Sequence, residues 1–296
     1  MAKNHYLTPE IISKLNNLSI KARFVVEGFI VGLHKSPYHG FSVEFSEHRS
    51  YGSGDEIRHI DWKLWGKTDR FFIKQYEEET NLKSYLLLDQ SLSMTYNSHY
   101  MSKLEYSKVL AASLSYLMLK QQDAIGLTLF DEKIRKNIPA KSKKSHLNLI
   151  LSQMQNTNPG PETKIAPVLH QAAEAIKKRG LIILMSDLFD DPKKIISGLK
   201  HFRYKGHEVI VFHILDPKEI SLDFNQRTNF RDLESGKEIV TDPWHIQADY
   251  QKNMEEFCDY IKTTCRQNNI DYVKVSTELP IDMALSEYLI KRRKLS

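Results

Sequence analysis

The sequence has 296 residues, of which 41% are hydrophobic and 27% charged, an ordinary composition for a globular chain with a real core. Its formal net charge of +5 is mild, and its basic stretches 133–144 and 291–294 lack interleaved aromatic residues, so nucleic-acid binding is not expected. Cys258 and Cys265 would lie about 10 Å apart on a predicted helix, too far for a disulfide. With no signal peptide and no apolar run long enough to span a bilayer, we expect a cytoplasmic protein.

The first 80 residues predict a helix followed by short strands. Pro9 stands where a first helical residue would be, after Thr8, and this start predicts a helix over 8–34. Residues 41–76 then have a short, strand-like pattern. We therefore expect residues 1–80 to form an N-terminal helix and a small β-rich module, either separate from the rest or wrapped around it.

Within this module lies a segment rich in Gly, Asp, Arg and Trp. No Gly-Lys-Ser/Thr follows Gly54, so a phosphate-binding P-loop is not expected. The segment predicts an ordered loop in which acidic and basic side chains pair and a tryptophan supplies an apolar anchor. Whether this loop is purely structural or contacts a partner stays open. Its candidate residues are Arg49, Asp55, Arg58, Asp61 and Trp62.

From residue 81 onward, strand and helix patterns alternate. The predicted strands cover 85–88, 124–130, 133–138, 181–185, 209–215 and 272–276. The predicted helices cover 102–121, 145–154, 166–178, 192–205, 245–267 and 281–293. This alternation is typical of an α/β fold with a doubly wound, mainly parallel sheet. We expect residues 81–296 to form that domain, with a hairpin insertion near 228–242.

A candidate metal-binding loop follows the apolar run 85–88. Asp89, Ser91 and Ser93 come directly after this predicted strand, and ligands of parallel sheets bind beyond the carboxyl ends of the strands. One carboxylate and two hydroxyls form an all-oxygen set that suits Mg²⁺, with Mn²⁺ or Ca²⁺ as alternatives. The other interpretation is that one of these side chains only caps the next helix.

The Asp-x-Ser-x-Ser pattern resembles the metal-ion-dependent adhesion site of von Willebrand factor A domains. The resemblance implies that Ser91, Ser93 and Thr163 contact the cation or its waters, and that Asp89 and Asp187 hold it largely through water. It also implies an open coordination position for a partner's carboxylate. Relatives more often have Gly before the threonine, whereas Glu162 stands here, so Thr157 is an alternative to Thr163. Two buried carboxylates would repel each other, so we expect the metal to stabilise the fold as well.

The chain as a whole resembles one family of uncharacterised bacterial proteins with an A-like domain. The matching pattern is Glu44-Phe45-x-x-x-Arg49-x-Tyr51-x-x-Gly54-Asp55-x-x-Arg58-x-Ile60-Asp61-Trp62, then Leu88-Asp89-x-Ser91-x-Ser93-Met94 and Ser186-Asp187-Leu188. Members are usually encoded beside MoxR-type AAA+ ATPases. The resemblance implies a MoxR-type partner and a chaperone-like role in the maturation of client proteins.

A haloacid-dehalogenase-like phosphohydrolase is the rival hypothesis. Asp89 would be its nucleophile, and Asp187 with Asp191 would imitate its second metal-binding pair. That class uses an Asp two residues after the nucleophile as acid and base, but Ser91 stands there. We therefore favour a non-enzymatic binding protein.

Overall fold

The computed structural model describes residues 7–34, 48–50, 52, 62–74, 82–160, 164–233 and 236–295. Its strands are β1 (His48–Ser50), β2 (Phe72–Lys74), β3 (Lys83–Asp89), β4 (Ala124–Phe130), β5 (Ile134–Lys141), β6 (Leu181–Ser186), β7 (Glu208–Leu215), β8 (Thr228–Arg231), β9 (Glu238–Thr241) and β10 (Asp271–Ser276). Its helices are α1 (Pro9–Ser13), α2 (Leu18–His34), α3 (Trp62–Thr68), α4 (Lys103–Lys120), α5 (Ser145–Gln155), α6 (Ile165–Ala175), α7 (Pro192–Tyr204), α8 (Pro217–Ser221), α9 (Pro243–Gln267) and α10 (Ile281–Leu295).

Among the described residues, the largest sheet has six strands in the order β10-β7-β6-β3-β4-β5. Every neighbouring pair in it is parallel except β4 and β5, which are antiparallel. The predicted α/β fold with a mainly parallel sheet is confirmed. Because β3 and β6 are adjacent, the carboxyl ends of these central strands bring Asp89 and Asp187 to the same edge of the sheet.

Both faces of this sheet are covered, which explains the continuous apolar runs of its central strands. Successive side chains of a strand point to opposite faces. Accordingly, Leu86 and Leu88 pack in a core with α2, α4, α5 and α10, whereas Leu87 packs in a second core with α6, α7 and α9. The hairpin of β8 and β9 pairs only within itself among the described strands, at the position where an insertion was predicted.

The N-terminal helices pack onto the sheet domain. The single helix predicted over 8–34 is in fact two, α1 and α2, separated at residues 14–17. The side-chain oxygen of Asn17 accepts a hydrogen bond from the amide of Ser19 at 2.7 Å, which satisfies a free amide at the start of α2. Val25, Val26 and Phe29 of α2 are buried in the same core as α4. Strands β1 and β2 pair antiparallel with each other.

Two short helices were not predicted. The helix α3 lies within the segment expected to be strand-like, and α8 follows β7 where no element was expected. In the parts of the chain that the structure describes, no helix combines the length and apolarity needed to cross a membrane.

Candidate functional site

Asp89 ends β3 and is fully buried. Its Oδ1 accepts a hydrogen bond from the amide of Ser91 at 2.9 Å, and its Oδ2 accepts one from the hydroxyl of Ser186 at 2.7 Å. Burial and, to a smaller extent, the nearby Asp187 carboxylate together raise the pKa of Asp89 to about 7, against the lowering effect of these hydrogen bonds. Both donors are neutral groups, so this buried carboxylate attracts any additional positive charge.

The two serines of the loop bring their hydroxyls together. Ser91 is buried, and Ser93 begins a short 3₁₀ turn that ends at Thr95. The Oγ atoms of Ser91 and Ser93 lie 2.9 Å apart, within hydrogen-bond distance. The loop thus places one carboxylate and two hydroxyls at the end of a central strand, as the sequence predicted.

The loop that precedes α6 is joined to the Asp89 loop by backbone hydrogen bonds. Gly160 forms a parallel bridge with Ser91: its carbonyl accepts from the amide of Leu92 at 2.9 Å, and its amide donates to Gln90 at 3.1 Å. Thr163 lies outside the described residues, so its predicted role stays a prediction. The hydroxyl of Thr157, its alternative, donates to the carbonyl of Met154 at 3.1 Å.

Asp187 follows β6 and forms a buried ion pair. Its Oδ2 accepts a hydrogen bond from the ammonium of Lys103 at 2.7 Å, and both side chains are fully buried. The same ammonium lies 2.5 Å from Oε1 of Glu219 and 4.9 Å from the centre of the Phe189 ring. Burial lowers the pKa of Lys103, but the two carboxylates outweigh it and the net pKa is raised. The expected carboxylate repulsion is therefore partly offset by a cation of the protein itself.

His213 supports Asp187 from the neighbouring strand β7. Its Nε2–H donates to the carbonyl of Asp187 at 2.8 Å, which leaves Nδ1 to accept from the Tyr272 hydroxyl at 2.6 Å. Burial lowers the pKa of His213 to about 4, so the ring is neutral near pH 7. The backbone at Asp187 is thereby held in place by an uncharged side chain.

A family model described as "Protein of unknown function DUF58" matches residues 47–257. The chain belongs to this DUF58 family. An uncharacterized protein of Mycobacterium tuberculosis, Rv1480, is 23% identical over 240 residues, covering 79% of this chain and 75% of its own. Its counterpart in Mycobacterium bovis, Mb1516, matches equally well.

Two solved structures are similar to this DUF58 protein in fold. BatB from Bacteroides thetaiotaomicron has a TM-score of 0.51 at 20% identity, covering 72% of this chain and 99% of its own. An aerotolerance-related membrane protein from Bacteroides fragilis has a TM-score of 0.50 at 18% identity, covering 71% and 99%. At these identities the likeness establishes the fold and leaves function open.

A pocket of about 360 Å³ opens beside Ser93. The hairpin contributes one wall of it, and aromatic residues near the Asp89 and Asp187 loops contribute another. Its lining residues are Ser93, Tyr96, Phe189, Glu219, Arg231, Asp232 and Leu233. The predicted cation-binding loop therefore borders a pocket that is lined by both apolar and charged side chains.

The predicted loop of the N-terminal module is only partly described. Arg49 lies in β1 and Trp62 is the first residue of α3. Asp55, Arg58 and Asp61 lie outside the described residues, so the predicted ion pairs among them stay a prediction.

Three residues near the site were not predicted: Lys103, Ser186 in its role as a donor, and Glu219. Lys103 directly follows the N-cap residue Ser102, and Glu219 is the third residue after the N-cap Asp216. Both capping boxes can be recognised in the sequence. Ser102 and Glu105 form one box at the start of α4, and Asp216 and Glu219 form another at the start of α8. The pattern Asp-Pro-x-Glu was the signal for α8, but it does not reveal that Lys103 and Glu219 meet.

The described residues fit a divalent cation. No three His, Cys, Asp or Glu side chains group as metal ligands in the described ranges, so a cation here depends on the serine hydroxyls. When all three carboxyls are ionised, Asp89, Asp187 and Glu219 against Lys103 leave a formal excess of two negative charges. An all-oxygen donor set with this excess suits a hard divalent ion such as Mg²⁺.

Proposed function

We propose that this DUF58 protein is a non-enzymatic binding protein that holds a carboxylate of a partner protein through Mg²⁺. Asp89, Ser91 and Ser93 would hold the cation, and the sequence pattern adds Thr163 as a further candidate; Asp187 lies at the same edge of the sheet. The observation that carries the proposal is the convergence of the Ser91 and Ser93 hydroxyls beside the buried Asp89 carboxylate. Bound there, the cation would supply the positive charge that a partner's carboxylate needs.

The pocket beside Ser93 supports this kind of recognition. A partner side chain next to the bound carboxylate could contact Phe189 and Leu233, which are partly exposed, while Arg231 offers a cationic group. Such a mixture of apolar and charged groups is typical of surfaces that recognise protein segments.

The partner that we propose is a MoxR-type AAA+ ATPase, with a client protein of undetermined identity, in the cytoplasm. The support for the ATPase is the resemblance of the segment from Glu44 to Trp62 and of the Asp89 loop to proteins encoded beside such ATPases. The support for the compartment is that Cys258 and Cys265 are buried free thiols of α9.

We propose no phosphohydrolase activity. Both oxygens of Asp89 accept hydrogen bonds, and Ser91 has no acid or base function near pH 7. Purified protein with Mg²⁺ is expected to give no turnover of an aryl phosphate above that of Asp89→Asn. Sustained turnover that the substitution removes would contradict this proposal.

The metal-binding proposal is tested by thermal unfolding with EDTA, Mg²⁺ or Mn²⁺. Mg²⁺ at about 100 times its dissociation constant adds about 2.7 kcal/mol of stability, so the wild-type melting temperature is expected to rise by about 5 °C. Asp89→Asn removes the buried charge and should abolish this rise. Asp249→Asn, exposed on α9, is the matched control and should keep it. The absence of any rise in the wild type would refute the metal-binding proposal.

Partner binding is tested separately with a purified MoxR-type ATPase on immobilised protein. We expect retention that needs Mg²⁺, is lost with EDTA and in Asp89→Asn, and persists in Asp249→Asn. Equal retention by wild type and Asp89→Asn would contradict recognition through the cation.

A further inference from the structure

The buried ammonium of Lys103 divides the candidate site into two halves. One half consists of Asp89, Ser91 and Ser93, whose hydrogen-bond donors are neutral. The other half contains Asp187, whose Oδ2 is 2.7 Å from the ammonium of Lys103. The second half therefore already contains a positive charge.

Asp187 has both carboxylate oxygens engaged by the protein. Its Oδ2 accepts from Lys103, and its Oδ1 accepts from the amide of Phe189 at 3.4 Å. For Asp187 to bind a metal directly, the ammonium would have to leave a fully buried position for which Glu219 also provides a partner. An unpaired buried charge is strongly unfavourable, so separating the ammonium from these two carboxylates would be costly.

The surroundings of Lys103 keep it there. It is the first residue of α4, whose start is held by the Ser102–Glu105 capping box. Glu219 belongs to the capping box of α8, and the ring of Phe189 lies 4.9 Å from the ammonium. Its own helix, α8 and the loop after β6 thus meet at this lysine, as expected for a fixed component of the site.

We propose that Lys103 is a built-in counter-ion that keeps Asp187 from ligating a metal, so that a divalent cation is held by the Asp89, Ser91 and Ser93 half alone. This inference rests on the proposed metal-binding function and specifies which residues perform it. It has a direct consequence. Removing the ammonium releases Asp187, which makes the site more negative and adds a carboxylate ligand.

The test is direct titration with Mn²⁺, in which the electron paramagnetic resonance signal reports the free ion. Lys103→Met, which keeps an unbranched side chain of similar length, is expected to bind Mn²⁺ at least tenfold more tightly than the wild type. Asp187→Asn lowers Mn²⁺ affinity by some factor in each background. We expect that factor to be at least ten times larger in the Lys103→Met background than in the wild type. Lys120→Met, exposed at the end of the same helix, is the matched control and should leave the affinity unchanged.

Three results separate this inference from the proposed function. If Asp187→Asn removes Mn²⁺ binding from the wild type as completely as Asp89→Asn does, Asp187 is a ligand and the inference is wrong, although the proposed function stands. If only Lys103→Met binds Mn²⁺, the proposed function fails while Lys103 is established as the resident cation. If neither protein binds Mn²⁺, both proposals are overturned.

A second measurement remains valid if Lys103→Met does not fold. Nitrogen-15 NMR of lysine ammonium groups in the folded wild type should show one slowly exchanging ammonium, identified by its loss in Lys103→Arg. We expect this signal to persist when Mg²⁺ saturates the site, because the ammonium stays on Asp187. Its disappearance on Mg²⁺ binding would mean that the metal displaces Lys103, and the inference would be overturned.

Discussion

Ser186 joins the ends of the two central strands through one hydroxyl group. The hydroxyl donates to Oδ2 of Asp89 at 2.7 Å and accepts from the amide of Leu188 at 3.0 Å. Ser186→Ala leaves a buried carboxylate oxygen and an amide without this partner. The free energy of unfolding is expected to fall by about 1–3 kcal/mol, the cost of leaving buried polar groups unpaired. Urea unfolding in EDTA at pH 7.5 measures the loss.

The control for this prediction is Ser152→Ala on α5. The hydroxyl of Ser152 donates to the carbonyl of Leu149 at the helix surface, at 3.0 Å. Its removal is expected to change the free energy of unfolding by no more than about 0.5 kcal/mol. Equal losses in the two variants would mean that the Ser186 hydroxyl contributes no more than a surface hydrogen bond.

The sequence predicted the positions of Asp89, Ser91, Ser93 and Asp187 because each follows a buried apolar run. Strand ends are local features, and the parallel arrangement then places them at one edge. The position of Lys103 could not be predicted this way. Its partners Asp187 and Glu219 are 84 and 116 residues away in the chain, and a lysine that begins a helix is ordinarily exposed. Its burial depends on how α4 and α8 pack, which no local pattern encodes.

At the scale of elements, the bridge between the Asp89 loop and the loop before α6 requires a glycine. A Cβ atom built on Gly160 would lie 1.9 Å from Oδ2 and 2.5 Å from Cγ of Asp131, whose side chain is held by Arg135. Gly160→Ala must therefore move either the loop that carries Gly160 or the β4–β5 turn that carries Asp131. The free energy of unfolding is expected to fall by about 1–3 kcal/mol, as for other overpacked sites, and chemical denaturation measures it.

Gly66→Ala is the matched control, because the same substitution meets open space there. Apart from its chain neighbours and the backbone of its own helix, no atom of the described residues lies within 4 Å of the position of its Cβ, and Gly66 is an exposed residue inside α3. Alanine favours a helix over glycine by about 0.5–1 kcal/mol, so stability should stay constant or rise. A loss in Gly66→Ala as large as in Gly160→Ala would contradict the contact with Asp131.

The elements that the sequence missed are short or interrupted. The helix α8 has only five residues, too few for a helical periodicity to show, so that only its capping box could indicate it. The segment 8–34 has an apolar pattern on both sides of its break, and the pattern alone does not show where the chain turns. In contrast, the long helices α4 and α9 and the buried strands β6 and β7 were predicted nearly to their ends, because their patterns are long and continuous.

At the scale of the whole molecule, α2 contributes to the core of the sheet domain. Phe29 is 6% exposed and packs in the core with α4, whereas Phe24 on the same helix is 36% exposed. Phe29→Ala is expected to lower the free energy of unfolding by about 3 kcal/mol, and Phe24→Ala by much less. Phe29→Ala should still unfold in one cooperative transition, measured by circular dichroism and tryptophan fluorescence. A separate early transition would mean that α2 unfolds on its own.

Buried histidines make the stability of the molecule depend on pH, and His146 is one such case. It is the second residue of α5, is buried, and donates from Nε2 to the carbonyl of Ile125 at 3.0 Å. Burial lowers the pKa of His146 in the folded chain, whereas the unfolded chain titrates near pH 6.5. As the pH falls below 6.5, the unfolded state takes up the proton first, so this contribution to stability is lost.

Asp89 acts with the opposite sign, because its raised pKa lets the folded chain bind a proton as the pH falls through about 7. The wild-type profile alone therefore mixes these effects with those of other shifted groups such as His213. The comparison with His146→Gln isolates the contribution of His146, since the glutamine amide can still donate to Ile125. Between pH 7.5 and 5.5, the variant is expected to gain stability relative to the wild type in urea unfolding. From pH 7.5 to 9 the difference should be constant, because imidazole is neutral in both states. A difference that stays flat from pH 5.5 to 9 would show that burial does not disfavour the charged form of His146.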